Sequence, residues 1–161
     1  MPPTCYDKAV QLLAARPHFR RELEGKLARR GYPPEEVAAA LDRLAAQGYL
    51  KEGETARSFV EGRQARGSEG RSRLKAELAK RGAAAEVIEA TLAGITPEDD
   101  LAAARDAVAR WSRSGKRDPQ ALARHLQRKG FSARAIVAVL NERPEGDGDV
   151  DLWDLNDDDS A

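Results

Sequence analysis

The sequence predicts an all-α protein of three tandem three-helix repeats, arranged as an elongated, curved array and followed by a disordered acidic C-terminal tail. Three observations lead to this prediction. Ala, Leu, Glu, Arg and Lys dominate the 161 residues, and these residue types favour helix. A pattern of leucines, basic residues and glycine occurs three times along the chain. Aromatic residues make up only 5% of the chain, and the thin core that this implies suits an elongated molecule better than a compact globule.

The repeated pattern places two leucines four residues apart, then two or three basic residues, then a glycine. The three copies are offset by 51 and 48 residues. Apolar residues also stand six and ten positions after each glycine, a spacing that places them on one face of a helix. The leucine–leucine–glycine sets are Leu23, Leu27 and Gly31; Leu74, Leu78 and Gly82; and Leu122, Leu126 and Gly130, and the later apolar pairs are Val37 and Leu41; Ile88 and Leu92; and Ile136 and Leu140.

The first repeat, residues 5–50, is predicted to contain helices over about 5–15 and 18–30 and a third from the Pro33–Pro34 pair to near Gly48. Proline is tolerated in the first turn of a helix, where its missing N–H costs nothing. Gly31 suits the left-handed position that ends a helix, and the basic pair before it favours the negative helix end.

The second repeat, 51–96, is predicted to have helices over 53–66, 70–81 and 84–94, and the third, 97–143, over 98–113, 119–129 and 133–142. Thr96 before Pro97 and Asp118 before Pro119 are predicted helix N-caps. The inward side of the opening helices is predicted to carry Ala9, Leu12 and Leu13 in the first repeat, Phe59 and Val60 in the second, and Leu101, Val108 and Trp111 in the third.

Residues 144–161 form the predicted tail, which has eight acidic residues and no basic one. The rest of the chain has 27 basic against 19 acidic residues, a net charge of +8. A basic body with an acidic tail suggests a polyanionic partner and a built-in competitor for it. Val150, Leu152, Trp153 and Leu155 form an apolar island in the tail, and for Trp153 a docking motif and a chance position are both open.

The composition argues against several classes of protein. Cys5 is the single cysteine, so no internal disulfide is expected, and no partner base for a nucleophilic role is evident. His18 and His125 are predicted at the surface or as caps rather than as metal ligands. The segment Gly67–Gly70 lacks the Lys-Ser/Thr of a phosphate-binding loop. No membrane-spanning or signal segment is apparent, so a cytoplasmic monomer that is not an enzyme and uses no cofactor or metal is expected.

Three motifs within residues 48–82 are similar to those of the RecX regulatory family. They are Gly48–Tyr49–Leu50, then Ala56-x-x-Phe59–Val60-x-x-Arg63, then Gly70-x-x-Arg73–Leu74-x-x-Glu77–Leu78-x-x-x-Gly82. The resemblance extends over about 6–143. It implies a bacterial regulator of recombination, DNA repair and the SOS response that binds the RecA nucleoprotein filament and lowers its recombinase and ATPase activity. It also implies direct binding to single- and double-stranded DNA. Phe19, where the family usually has a small hydroxyl residue, and Lys51, where it usually has Asp, depart from the pattern.

Basic residues recur on the equivalent helix of every repeat, and equivalent positions of a repeat array line one surface. Such a stripe can follow phosphates or an acidic groove. The alternative is that these are solvated helix ends, and for Arg63 and Arg73 that they pair with Glu61 or Glu77. The candidate partner- and DNA-binding residues are Arg20, Arg21, Lys26, Arg29, Arg30, Arg63, Arg71, Arg73, Lys80, Arg81, Arg124, Arg128 and Lys129.

A helix-turn-helix transcription regulator is the alternative function, because three-helix units with basic helices permit it. Such a protein needs a recognition helix with Asn, Gln and Arg at adjacent exposed positions. The third helix, 35–46, is instead rich in alanine. The sequence therefore favours a protein that binds a filament and DNA phosphates over one that reads bases.

Overall fold

The computed structural model describes residues 1–115 and 118–142. Within these residues the protein is all-α, as predicted, with nine helices and no strand. Every helix begins and ends within about two residues of its predicted bounds. The helices are α1 (Cys5–Ala15), α2 (Arg20–Ala28), α3 (Pro34–Ala46), α4 (Glu52–Arg66), α5 (Arg71–Lys80), α6 (Ala85–Ala93), α7 (Pro97–Arg113), α8 (Pro119–Arg128) and α9 (Ala133–Asn141).

Side-chain caps explain where several helices begin. Thr96 accepts a hydrogen bond from the Asp99 amide, and the Asp99 carboxylate accepts one from the Thr96 amide, which is a complete capping box. Asp118 accepts from the Gln120 amide at 3.1 Å. Both predicted N-caps are therefore confirmed, and each is followed by a proline at the first helical position.

The glycine of each repeat ends the second helix in the left-handed region, with φ of +87° at Gly31, +92° at Gly82 and +83° at Gly130. The amide that follows each glycine bonds a carbonyl five residues back, for example Phe131 to Leu126 at 3.2 Å. This geometry satisfies carbonyls that the helix end would leave unpaired. The left-handed conformation predicted for Gly31 is confirmed, and the same device recurs in the other two repeats.

One compact unit comprises Met1–Phe59 and Glu77–Thr91. Helices α1, α2 and α3 pack on one another there around a core of Leu23, Leu27, Leu41 and Leu44, which are all fully buried. Ala9 is also fully buried, and Leu12 and Leu13 pack against this core, as predicted. The leucines of the repeated pattern are thus the core of this unit.

The second compact unit comprises Val60–Ala76 and Leu92–Ala161. Its core contains Leu122, Leu126 and Ile136 together with Ala104 and Ala107 of α7. Leu101, Val108 and Trp111, predicted to line the inward side of α7, pack against this core but are only half-buried. The small alanines take the deepest positions because they let α7 approach its neighbours closely.

Helices α4 and α5 pass from one unit to the other along the chain. The core leucines of the middle repeat are accordingly divided, with Leu74 in the second unit and Leu78 in the first, and both are fully buried. The repeat boundaries at 5–50, 51–96 and 97–143 stay predictions. The predicted acidic tail, 144–161, lies outside the described residues.

In the second unit, the end of α8 meets the start of α5 through direct backbone hydrogen bonds. The Gly70 amide donates to the Lys129 carbonyl at 2.8 Å, and the Ser72 amide donates to the Gly130 carbonyl at 3.2 Å. Helix N-termini have unpaired N–H groups and helix C-termini have unpaired carbonyls, so each end satisfies the other. The backbones approach so closely that a Cβ on Gly130 would lie 2.3 Å from the Arg73 amide nitrogen.

An equivalent contact exists inside the first unit, where Gly82 at the end of α5 lies beside the start of α2. A Cβ on Gly82 would lie 3.2 Å from the Arg21 Cβ and 3.4 Å from the Glu22 amide nitrogen. In the repeat register Gly82 corresponds to Gly130, and Arg21–Glu22 corresponds to Ser72–Arg73. The same type of helix-end junction is therefore used twice, and it is the closer of the two at Gly130.

We expect Gly130→Ala to destabilise the protein more than Gly31→Ala. Both substitutions introduce a side chain at positive φ, which costs about 1–2 kcal/mol. Only Gly130→Ala also forces a Cβ into the backbone of Arg73, whereas nothing lies within 4 Å of a Cβ at Gly31. We expect an additional loss of about 1–3 kcal/mol from this clash, measured as the difference between the two variants in urea unfolding followed by circular dichroism. Equal losses would show that the α8–α5 junction contributes nothing.

Candidate nucleic-acid interface

The candidate basic residues fall into two sets, one in each compact unit. The first unit contains Arg20, Arg21, Lys26, Arg29, Arg30, Lys80 and Arg81, and the second contains Arg63, Arg71, Arg73, Arg124, Arg128 and Lys129. Within each set, some side chains bind groups of their own unit and others are directed to solvent. This difference separates the residues that hold the fold from those that can bind a partner.

Arg20 is bound inside the first unit. Its guanidinium contacts Asp42 at 2.7 Å and Glu24 at 3.2 Å, and its backbone amide donates to Glu52 at 2.8 Å. The side chain is about one-third exposed. Arg20 therefore connects α2 to α3 and α4, a structural role that agrees with the alternative interpretation of the basic residues.

Glu22 is the centre of an ionic cluster at the start of α2. Its carboxylate contacts Arg16, Lys26 at 3.5 Å and Arg81 at 3.3 Å, and its side chain is only 15% exposed. Burial by itself raises the pKa of Glu22, but the hydrogen bond from Arg16 and the charge of Arg81 outweigh it, and the pKa falls to about 2. Lys26 and Arg81 are thus committed to this carboxylate rather than to an external partner.

The Arg81 side chain also lies between two aromatic rings, 5.6 Å from the centroid of Phe19 and 5.0 Å from that of Phe59. These distances are within the range of cation–π attraction. Phe19 is fully buried, so its ring fills the space beneath the guanidinium. The departure from the family pattern at Phe19 therefore affects packing around Arg81.

His18 is buried, with 3% of its surface exposed, so its predicted placement at the surface or as a cap was wrong. Its Nδ1 lies 2.8 Å from the Arg16 carbonyl oxygen and its Nε2 lies 2.8 Å from the Lys26 ammonium. Since an ammonium only donates, Nε2 accepts and Nδ1–H donates, which defines a neutral tautomer. Burial lowers the pKa of His18, in agreement with a neutral ring.

The remaining candidate residues of the first unit, Arg21, Arg29, Arg30 and Lys80, are exposed. Arg30 donates to the Lys26 carbonyl at 2.9 Å, which leaves its positive charge without a carboxylate. Among the described residues, none of these four side chains forms an ion pair. Arg21 lies on α2, Arg29 and Arg30 directly follow α2, and Lys80 is the last residue of α5. The Cβ of Arg21 lies beside the turn at Gly82.

Three basic residues of the second unit are held within it. Arg63 forms two hydrogen bonds to the Glu69 carboxylate, at 2.9 and 2.7 Å, a partner that the sequence analysis did not name. Arg71 donates to the Leu92 carbonyl at 2.5 Å. Lys129 donates to the Ser68 carbonyl at 3.1 Å. These contacts order the turn between α4 and α5.

Arg73, Arg124 and Arg128 form what we term the arginine patch. Arg124 and Arg128 lie one turn apart on the exposed side of α8, opposite the buried Leu122 and Leu126. Arg73 contacts the Arg128 carbonyl at 3.4 Å through the helix-end junction. No described residue forms an ion pair with Arg124 or Arg128, so this patch presents positive charge to solvent.

The structure offers little for catalysis or for base recognition in the described residues. Cys5 is buried, and burial followed by the charge of Glu36 raises the pKa of its thiol. No group of three or more His, Cys, Asp or Glu within the described ranges could hold a metal ion. In 1–115 and 118–142, no helix is both long and apolar enough to cross a membrane. The exposed positions of α3 include Ala38, Ala39 and Ala45, which have no hydrogen-bonding side chains for reading bases.

Comparison with known proteins identifies the family. A family model described as the first three-helix domain of RecX matches residues 5–44, and one described as the second three-helix domain of RecX matches residues 52–92. The regulatory protein RecX of Halorhodospira halophila is 42% identical over 146 residues, which cover 86% of this chain and 89% of that protein. The chain belongs to the RecX family. RecX of Chromohalobacter salexigens is 38% identical over 133 residues, covering 81% of this chain and 86% of that protein.

Two crystal structures share the fold of this RecX-family chain. One is RecX from Lactobacillus salivarius, with a TM-score of 0.70 and 22% identity, covering 86% of this chain and 93% of that one. The other is a structure of regulatory protein RecX, with a TM-score of 0.77 and 21% identity, covering 85% of this chain and 71% of that one. The helical architecture is thus the same as in these proteins at low sequence identity.

The motifs that predicted RecX membership have several structural roles. Gly70 is buried and allows the close contact with Gly130, Arg63 binds Glu69, and Gly82 adopts positive φ. Tyr49 differs from these, because 63% of its surface is exposed. Glu22 and Glu69 were missed as ion-pair centres. The spacing of Glu22, four residues from both His18 and Lys26, was the signal that could have indicated its role.

We expect Glu22→Gln to destabilise the protein near neutral pH, with a loss that disappears in acid. The carboxylate has a lowered pKa, so it contributes stability above its unfolded value of 4.5 and loses that contribution as the pH falls toward about 2. The shift corresponds to at most about 3 kcal/mol. Urea unfolding at several pH values from 7 to 2.5 measures this. Glu24→Gln is the control, because that carboxylate is 44% exposed on the same helix. A pH-independent difference for Glu22→Gln would contradict the ionic role.

Proposed function

We propose that the protein regulates RecA by binding the RecA nucleoprotein filament and DNA, and that it lowers recombinase and ATPase activity in recombination, DNA repair and the SOS response. Membership of the RecX family supports the choice of RecA as partner. The observation that carries the binding mode is the arginine patch, whose α8 arginines are exposed without an ion-pair partner among the described residues. We also propose that the protein acts as a cytoplasmic monomer and catalyses no reaction.

The charge distribution supports phosphate binding. Outside the acidic segment the chain has a net charge of +8, and many of its bases are neutralised by ion pairs such as those of Glu22 and Glu69. Exposed bases that form no ion pair among the described residues include Arg21 on α2, Lys80 on α5, and Arg124 and Arg128 on α8. Arginine binds phosphate through a planar fork of donors, which suits contacts with either DNA strand.

The proposed mechanism uses binding alone. The exposed arginines would contact DNA phosphates or acidic side chains in the groove of the filament, and the protein would bridge neighbouring RecA subunits or DNA strands. A bridge of this kind hinders filament growth or the subunit motions that accompany ATP hydrolysis. The ion pairs of Glu22 and the α8–α5 junction keep the binding side chains in place, because rigid helix ends lower the entropy cost of association.

The partner is tested by RecA ATP hydrolysis on single-stranded DNA with and without this protein. We expect substoichiometric protein to slow hydrolysis, because one bound molecule at a growing filament end affects many subunits. Folding of the added protein is checked by circular dichroism. Unchanged hydrolysis at saturating folded protein would contradict the proposed regulation of RecA.

The DNA contact is tested by the variant Arg124→Glu with Arg128→Glu. Loss of two phosphate contacts should weaken duplex binding and flatten the dependence of log affinity on log salt by about 1.8. The control is Arg113→Glu with Arg134→Glu, two exposed residues of the same unit that lie outside the candidate set and give the same change of net charge. Equal effects of both variants would show that net charge, not the arginine patch, determines binding.

A further inference from the structure

We infer that the acidic segment 144–161 binds the arginine patch of its own unit and competes there with nucleic-acid phosphates. The competition rests on the proposed function, whereas the contact itself does not. The segment is a polyanion that belongs to the same chain, and the arginine patch is a site that can bind a polyanion. The consequence is autoinhibition, in which DNA or the filament must displace the segment to gain the patch.

Charge complementarity supports the contact. The segment has eight acidic residues among 18 and no basic residue, so no charge within it neutralises them. Arg124 and Arg128 are exposed, lie one turn apart, and form no ion pair with a described residue. The Arg73 guanidinium donates to the Arg128 carbonyl at 3.4 Å, so its side chain reaches the end of α8. The arginines proposed to bind DNA phosphates are therefore the ones that the acidic segment would contact.

Several other arginines of the second unit are already bound by carboxylates. Arg63 is bound by Glu69, Arg105 by Glu142 and Arg110 by Asp106, with N···O distances of 2.7 to 2.8 Å. An acidic segment gains little by replacing a carboxylate that is already in place. Arg124 and Arg128 are two neighbouring arginines of the described part of this unit that have no carboxylate to displace.

The segment is long enough to reach the patch. It follows α9, whose end is held to α7 by the Arg105–Glu142 pair, and α8 and α9 share one core. The 19 residues after Glu142 extend at most to about 65 Å. A unit of roughly 70 residues has a radius of gyration of only about 11 Å. Attachment also gives the segment an effective concentration of order millimolar.

The contact is tested by NMR on the full chain and on a full-length variant whose eight acids at 144–161 are replaced by their amides, Asp→Asn and Glu→Gln. At about 20 mM salt we expect the amide shifts of Arg124 and Arg128 to differ between the two proteins. At about 1 M salt the spectra should converge, because the Debye length falls to about 3 Å. Identical shifts for α8 at low salt would overturn the inference, whatever the protein does to DNA.

The competition is tested by DNA affinity at low salt. We expect the amide variant to bind about ten-fold tighter than the natural chain, as when an effective concentration of order 1 mM acts on a contact of order 0.1 mM affinity. The gain should vanish in the Arg124→Glu, Arg128→Glu background and persist in the Arg113→Glu, Arg134→Glu background. A gain of the same ratio in both backgrounds would indicate a long-range charge effect and would overturn the inference.

Trp153→Ala separates charge from apolar docking, since it keeps every acid of the segment. We expect it to leave both the α8 shifts and DNA affinity unchanged. If Trp153→Ala moves the α8 amide shifts to the positions seen in the amide variant, the contact is apolar and the electrostatic inference is wrong. The two proposals fail separately. A difference in α8 shifts on amide replacement, in a protein that does not bind DNA, would contradict the proposed DNA contact alone. DNA binding whose affinity does not change on amide replacement would contradict this inference alone.

Discussion

The rest of the structure depends on one constraint, the contact between the end of α8 and the start of α5. Both are the second helix of a predicted repeat. The Gly70 and Ser72 amides donate to the Lys129 and Gly130 carbonyls at 2.8 and 3.2 Å, and neither Gly70 nor Gly130 can accept a Cβ. The carbonyls of one helix end and the N–H groups of the next satisfy each other without side-chain caps. A core of leucines four residues apart does not by itself fix how far one helix is shifted along another, because a shift of one turn again places leucine against leucine. Backbone hydrogen bonds at a glycine pair permit one register only.

The same constraint determines which basic residues face solvent. Arg73 lies at the start of α5 and Arg128 at the end of α8, and the Arg73 guanidinium donates to the Arg128 carbonyl at 3.4 Å. In the first unit, the turn at Gly82 places Arg81 against Glu22, where it is neutralised, and leaves the neighbouring Arg21 and Lys80 exposed. The two copies of this helix end divide their basic residues in the same way. Directly before the glycine, Arg81 is held by Glu22 and Lys129 by the Ser68 carbonyl. One position earlier, Lys80 and Arg128 are exposed.

Much of this could be predicted from the sequence, because it depends on local rules. Helix bounds follow from caps, prolines and glycines within a few residues, and the leucine period identified every fully buried leucine of the second helices. What failed depends on how side chains pack, which the spacing of residue types does not give. His18 was predicted at the surface or as a cap, but its ring is buried and contacts the Lys26 ammonium at 2.8 Å and Glu22 at 3.9 Å. The acids expected to pair with Arg63 were Glu61 or Glu77, whereas its partner is Glu69, whose position depends on the turn after α4. The thirteen candidate residues share a charge, and all but Arg63 lie on or directly after the second helix of a repeat. Only their surroundings separate bound from exposed side chains.

The central claim is most directly tested by hydrogen exchange of the Gly70 and Ser72 amides, followed residue by residue by NMR on the full chain. Amides at the start of an isolated helix have no backbone partner and exchange rapidly, whereas these two donate to Lys129 and Gly130. The account predicts that both are protected as strongly as the interior amides of α8, and that protection is lost in Gly130→Ala while the interior of α8 remains protected. Exchange of Gly70 and Ser72 at the rate of unprotected amides in the natural protein would contradict the junction and the arrangement of arginines built upon it.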